Sequence, residues 1–135
     1  MSHDGKEINK ISVFGADTRF LKIKEDIVKS FGVIARETGQ KGVAAEVYLV
    51  HSDFMDKNVL AFPAPKNFPR PDQGGRYLGE IYLNPDYIKK HGEDLIFMFI
   101  HGFLHLLGYD HKKKDDRIAM EKKERELLKK ACKTI

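Results

Sequence analysis

Residues 93–111 read Glu-Asp-Leu-Ile-Phe-Met-Phe-Ile-His-Gly-Phe-Leu-His-Leu-Leu-Gly-Tyr-Asp-His. From Glu93 to Leu107 the stretch is apolar on almost every side, the pattern of a helix buried within a domain rather than one lying on its surface. Gly108 follows, a residue suited to the left-handed position that ends a helix. His101 and His105 are four apart, so a helix stacks their imidazoles on one face, one turn apart, within reach of a single ion. The turn at Gly108 lets the chain double back so that His111, six residues beyond His105, adds a third nitrogen.

Three neutral imidazoles leave a tetrahedral zinc with one open position for water, the arrangement of a catalytic rather than a structural site. The competing reading is that histidines on an apolar helix are hydrogen-bonded core residues and that a pair four apart arises by chance. Against it, half of the chain's 6 histidines fall in this one short window. We therefore expect one Zn2+ per chain, held by His101, His105 and His111. A structural site would use cysteines to close the fourth position. The single cysteine, Cys132, sits in a Lys-rich segment far from the histidines and reads as inert. Zinc peptidases of the H-E-x-x-H type place a glutamate directly after the first histidine as general base, and here that place is Gly102, which disfavours a peptidase. Beyond the zinc-bound water no catalytic group is assigned. Asp110, between the ligands, either accepts a hydrogen bond from an imidazole and fixes its tautomer or caps the last helix.

Upstream of this helix, Ile8 to Phe14 alternates as a short strand ended by Gly15, and Asp17 and Thr18 offer caps for a helix. From Arg19 to about Thr38, Phe20, Ile23, Ile27, Phe31 and Ile34 recur at steps of three and four, so they face inward, while Lys22, Glu25 and Lys29 face water. Gly39 to Gly42 closes this helix. Val43 to Val50, Val59 to Phe62 and Tyr77 to Leu83 read as strands. Ala64 to Gly75 holds three of the 5 prolines and reads as an exposed loop. Asn84-Pro85-Asp86 stops the last strand and opens a short helical turn. Asp115 to Lys130 reads as a final amphipathic helix with Ile118, Leu127 and Leu128 inward. This order argues an α+β fold, one small mixed β-sheet covered by helices, with the zinc site on a central helix and the turn after it.

At 135 residues the chain is expected to form one domain. Its 41% hydrophobic and 33% charged residues place it in the globular class. The uncharged run from Leu95 to Leu104 is about half of the roughly 20 residues a bilayer span requires, so no membrane segment is expected. The polar N-terminus lacks the apolar run of a signal peptide, which makes the cytoplasm the expected compartment. A net charge of +4 suits a polyanionic partner or solubility equally and decides nothing alone.

The segment His101-Gly102-Phe103-Leu104-His105-Leu106-Leu107-Gly108-Tyr109-Asp110-His111 resembles the H-G-x-L-H-L-x-G-Y-D-H signature of the YbeY endoribonucleases. Asn58-Val59-Leu60-Ala61-Phe62-Pro63 is similar to that family's D-V-L-S-F-P, and Leu78-Gly79-Glu80-Ile81 to its L-G-D-I. The resemblance reaches Met120 and Glu121 in the last helix. It implies an α+β fold, zinc on the three histidines, and hydrolytic cleavage of single-stranded RNA in rRNA maturation and ribosome quality control, with the ribosome or its small subunit as partner. Two departures stand out: the family aspartates become Asn58 and Glu80, and no arginine occupies 51–57, where the family carries one.

Single-stranded RNA is held by cations along its backbone and by aromatic platforms under its bases. The candidates are Lys66, Arg70 and Arg76 with Phe68 and Tyr77, together with Lys112, Lys113 and Lys114, whose competing reading is a solvated helix start. Lys122 to Lys133 alternates with glutamate as an exposed helix face. Three functions fit: a zinc-dependent endoribonuclease, a ribosome-assembly factor with a zinc site but little nuclease activity, and another metallohydrolase.

Overall fold

A computed structural model describes residues 8–65 and 75–135. Four strands, β1 (Lys10–Phe14), β2 (Val43–Leu49), β3 (Val59–Pro63) and β4 (Arg76–Leu83), form one sheet in the order β1-β2-β4-β3. β1 with β2 and β2 with β4 are parallel, while β3 runs antiparallel to β4, so the sheet is mixed, as expected. The parallel step from β1 to β2 needs a long crossover, which α1 (Leu21–Glu37) supplies. After β4 come α2 (Pro85–Lys90), α3 (Leu95–Leu106) and α4 (Lys114–Cys132). The fold is α+β.

Strand alternation decides what the helices cover. Val43, Ala45, Val47 and Leu49 of β2 are buried in the core, whereas Ala44, Glu46 and Tyr48 between them are only half-buried on the other face. The core joins Val47, Ile81 and Leu83 to Ile27, Phe31 and Ile34 of α1, to Phe99, Ile100, Phe103 and Leu104 of α3, and to Met120 and Leu127 of α4. On the opposite face Phe14, Tyr48 and Tyr82 stand in register on β1, β2 and β4 and stack ring on ring at 5.1 and 5.0 Å. The tyrosine hydroxyls are donated to Glu46 and Glu80.

Two family-like segments have structural reasons. Pro63 lacks an N–H, and it lies on β3, an edge strand, where that omission is tolerated. In β4 the register shifts, with Tyr77 opposite Ala44 but Gly79 opposite Ala45, leaving Leu78 as a bulge. Gly79 has φ +135°, and a Cβ there would stand 2.2 Å from the Phe62 carbonyl oxygen, so only glycine fits between the strands.

The N-terminal helix begins later than periodicity alone suggests. Asp17 accepts the Arg19 backbone N–H at 2.8 Å and caps a 3-10 turn, Thr18–Phe20, before α1 starts at Leu21. The Arg19 guanidinium, bonded to the same carboxyl, holds Asp17 down to about 2. The turn after Pro85 is a six-residue helix, capped by the fully buried Asn84. The Asn84 amide also donates to the Met55 carbonyl at 2.8 Å and to Ser52 at 3.2 Å, tying the loop after β2 to α2. Asn84→Ala removes the cap and strands a buried carbonyl, so it is expected to cost roughly 2–4 kcal/mol, read as a lower urea midpoint with an unchanged slope.

The last helix needs a correction. It runs Lys114–Cys132, and Ile118 is 51% exposed rather than inward. The buried stripe is Met120, Glu124, Leu127 and Ala131, spaced four, three and four. Ile118 precedes Met120 by two residues and so points about 200° away from it around the helix. Leu127 faces inward as expected and Leu128 is half-buried. The Ala64 to Gly75 loop, with Lys66, Phe68 and Arg70, lies for the most part outside the described residues, as does the N-terminal segment 1–7. Among the described residues no helix is long and apolar enough to cross a membrane.

Candidate metal centre

α3 lies over β3 and β4 and approaches them closely because residue 102 has no side chain. A Cβ on Gly102 would stand 2.9 Å from Ile81 Cγ2 and 3.3 Å from Val59 Cγ2. Residue 102 therefore faces the sheet, and its neighbour His101 is carried round toward the helix's other flank. Asp94 caps α3 by accepting the Phe97 N–H at 2.9 Å. At the far end Gly108 takes φ +99°, and Tyr109 N–H bonds back to the Leu104 carbonyl at 3.0 Å, so the chain reverses there and returns His111 beside His105.

The structure brings all three histidines together. Their candidate ligand nitrogens lie within 4.8 Å of one another, the only such cluster among the described residues. His105 Nε2 and His101 Nε2 are 3.2 Å apart. Two nitrogens each bound at 2.0–2.1 Å to a tetrahedral zinc would be roughly 3.3–3.4 Å apart, so the pair fits that ion. His101 and His105 are half-buried and His111 is exposed, which leaves one side of the cluster open. Burial first, then the neighbouring imidazoles His101 and His111, pushes His105 below the ordinary 6.5. The ring thus keeps its lone pair free for a cation.

The cluster opens into a cleft of about 500 Å³ whose other wall is β3, from Val59 to Ala61 with Pro63, and whose rim is Tyr109, Asp110 and Lys112. Among the described residues lining it, Lys112 is the one lysine or arginine. Lys113 and Lys114 are exposed at the start of α4. Arg76 is exposed at the start of β4. Tyr77 is not a stacking platform: it is buried, and its hydroxyl donates to Glu46 at 2.7 Å. The Lys122 to Lys133 face is not exposed throughout as expected, because Glu124 within it is buried; Lys130 reaches Glu37 of α1 at 2.8 Å.

Asp110 takes neither role expected of it. Its carboxylate accepts the Lys112 backbone N–H at 3.0 Å, which tightens the turn between the ligands, and that bond is the main reason its pKa is lowered. The residue that bonds an imidazole is Glu124, whose Oε2 lies 2.5 Å from His101 Nδ1. Sequence reasoning stopped at Met120 and Glu121, and Glu121 is exposed. The available signal was an acid falling between Met120 and Leu127 on one helical face, and Ile118 as anchor hid it by setting the wrong phase.

Fold and site define a class: an α+β domain whose central helix and following turn carry three histidines placed to hold one metal ion. The family model described as endoribonuclease YbeY matches residues 44–132, and the chain belongs to the YbeY family. An endoribonuclease YbeY from a Wolbachia of Drosophila simulans is 42% identical over 84 residues, 55% of this chain and 53% of that protein. One from Neorickettsia sennetsu is 42% identical over 81 residues, 54% of each. The chain thus spans about half the length of the curated relatives it matches. A Thermotoga maritima protein solved in solution shares the fold, with a TM-score of 0.52 at 22% identity over 92% of this chain and 89% of its own.

Proposed function

We propose that the chain is a single-domain, zinc-dependent endoribonuclease that cleaves single-stranded RNA, acting in the cytoplasm on rRNA during maturation and ribosome quality control, with the ribosome or its small subunit as partner. The observation that carries this reading is the convergence of three imidazole nitrogens within 4.8 Å on a cleft that also presents Lys112. A zinc ion there supplies Lewis-acid polarisation of a phosphoryl oxygen and makes water acidic enough to act as nucleophile near neutral pH. The chain's own residues do the rest. His105 stays neutral and His101 is held by Glu124. Lys112 meets a phosphate oxygen as a point charge, and β3 walls the cleft on the side opposite the histidines.

The test is cleavage of an end-labelled single-stranded RNA oligomer, with the same sequence as a duplex for comparison. Cleavage of the single strand is expected to vanish on chelation and return with added zinc. His111→Ala is expected to lose metal affinity by at least the roughly 10–100-fold that mere outer-sphere partners carry, so zinc does not restore it. Cleavage that survives chelation would overturn the reading. A second reading, an assembly factor with a zinc site but little nuclease activity, is favoured by the absence of an arginine from 51–57 and by Lys112 being the one lysine or arginine among the described residues lining the cleft. It is the outcome if zinc binds and RNA stays intact.

A further inference from the structure

We infer that Glu124 is a positioning residue that selects the metal-binding tautomer of His101 and thereby makes the metal centre depend on the docking of α4; this rests on His101 being a metal ligand. Glu124 sits on the buried stripe of α4 at 4% exposure, an unusual place for a carboxyl among Met120, Leu127 and Ala131. Its Oε2 lies 2.5 Å from His101 Nδ1. A carboxylate can only accept, so the neutral imidazole must carry its hydrogen on Nδ1. The lone pair then belongs to Nε2, and Nε2 is the nitrogen that faces His105 Nε2 at 3.2 Å. The opposite tautomer would put a hydrogen where an ion has to sit.

The bond also fixes the ring's rotation. α3 alone places the His101 Cα one turn from His105, yet leaves the imidazole free to turn about its last torsion. Glu124, reaching across from α4, holds one edge of the ring and so aims the other. A plain structural reading is a buried pair that only ties two helices together. It predicts that an apolar side chain of similar size would serve as well or better, since buried ion pairs often replace favourably. The positioning reading predicts the reverse for metal and for tautomer, and no change in fold.

The experiment compares native chain, Glu124→Met and Glu124→Gln. Zinc affinity is measured by competition with a chromophoric chelator, and the His101 tautomer by long-range 1H–15N correlation on metal-free protein. The native chain is expected to show His101 as the Nδ1–H form. E124M should lose that form and bind zinc about 10–100-fold more weakly while its melting temperature holds or rises. E124Q, whose amide oxygen still accepts from Nδ1–H, should keep the tautomer and recover most of the affinity. A native His101 in the Nε2–H form overturns the proposal even if E124M does not fold. Zinc uptake by E124M equal to native overturns the role of Glu124 alone, and failure of the native chain to take up zinc overturns the metal reading beneath it.

Discussion

Replacing His105 with alanine is expected to take the chain from about one bound zinc per molecule to essentially none, measured by mass spectrometry of metal content on protein purified without an affinity tag. His105 is the middle member of the cluster, with its ring centroid 4.7 Å from His101 and 4.9 Å from His111, while the outer two are 5.7 Å apart. Its loss leaves two ligands in place of three, one of them exposed. The same residue sets a pH dependence in the metal-free chain. Its folded pKa lies below the ordinary 6.5, so as pH falls through that value the unfolded chain takes up the proton first. Stability contributed by neutral His105 is therefore present above about 6.5 and drains away below it. Melting temperatures in chelator should fall from pH 7 toward pH 5 for the native chain and fall less for His105→Ala. Zinc content unchanged by the substitution would remove the three-histidine site altogether.

What local sequence carries, it carried faithfully. The apolar run of α3, its stop at Gly108 and the spacing of the histidines are set by residues within a turn or two of one another, so they were legible without knowing what packs on them. The strands were legible to within a residue or two because glycine, proline and asparagine punctuate them. Phase and partner were not. Along α4, lysine and glutamate alternate around few apolar residues, and which side turns inward is decided by α1 and α3 packing against it. Ile118 was the wrong anchor, and with the phase wrong Glu124 read as one more surface acid. Tyr77 reads as a base platform beside Arg76, but it is buried and its hydroxyl is donated to the Glu46 carboxylate, a partner distant in sequence. Gly102 was legible as the absence of a catalytic glutamate. Its positive reason, contact with side chains on β3 and β4 some 20 to 40 residues earlier, belongs to tertiary structure.

That reason makes Gly102 the second place where a single change has a large expected effect. Gly102→Ala puts a methyl 2.9 Å from Ile81 Cγ2 and 3.3 Å from Val59 Cγ2, and Ile81 is fully buried, with no room to retreat. α3 must lift from the sheet by a few tenths of an ångström, at a cost of roughly 1–3 kcal/mol. The helix gains back part of this because alanine is the better helix former by about 1 kcal/mol. The net expectation is a modestly lower urea midpoint together with weaker zinc binding, since His101 moves with the helix while Glu124 stays on α4. Gly102→Glu, which writes the H-E-x-x-H pattern into the chain, is far worse. Its Cβ already meets Ile81 and Val59 and the longer side chain must displace that packing, so a penalty above about 4–5 kcal/mol rivals the 5–15 kcal/mol by which a domain is stable. The variant is expected to show no cooperative thermal transition by circular dichroism. Residue 102 borders the cleft, but the position of its Cβ is already crowded by Ile81 and Val59. A G102E chain that folds cooperatively and holds zinc as the native does would mean that α3 does not sit on the sheet through Gly102, and the placement of His101 argued from that contact would fall with it.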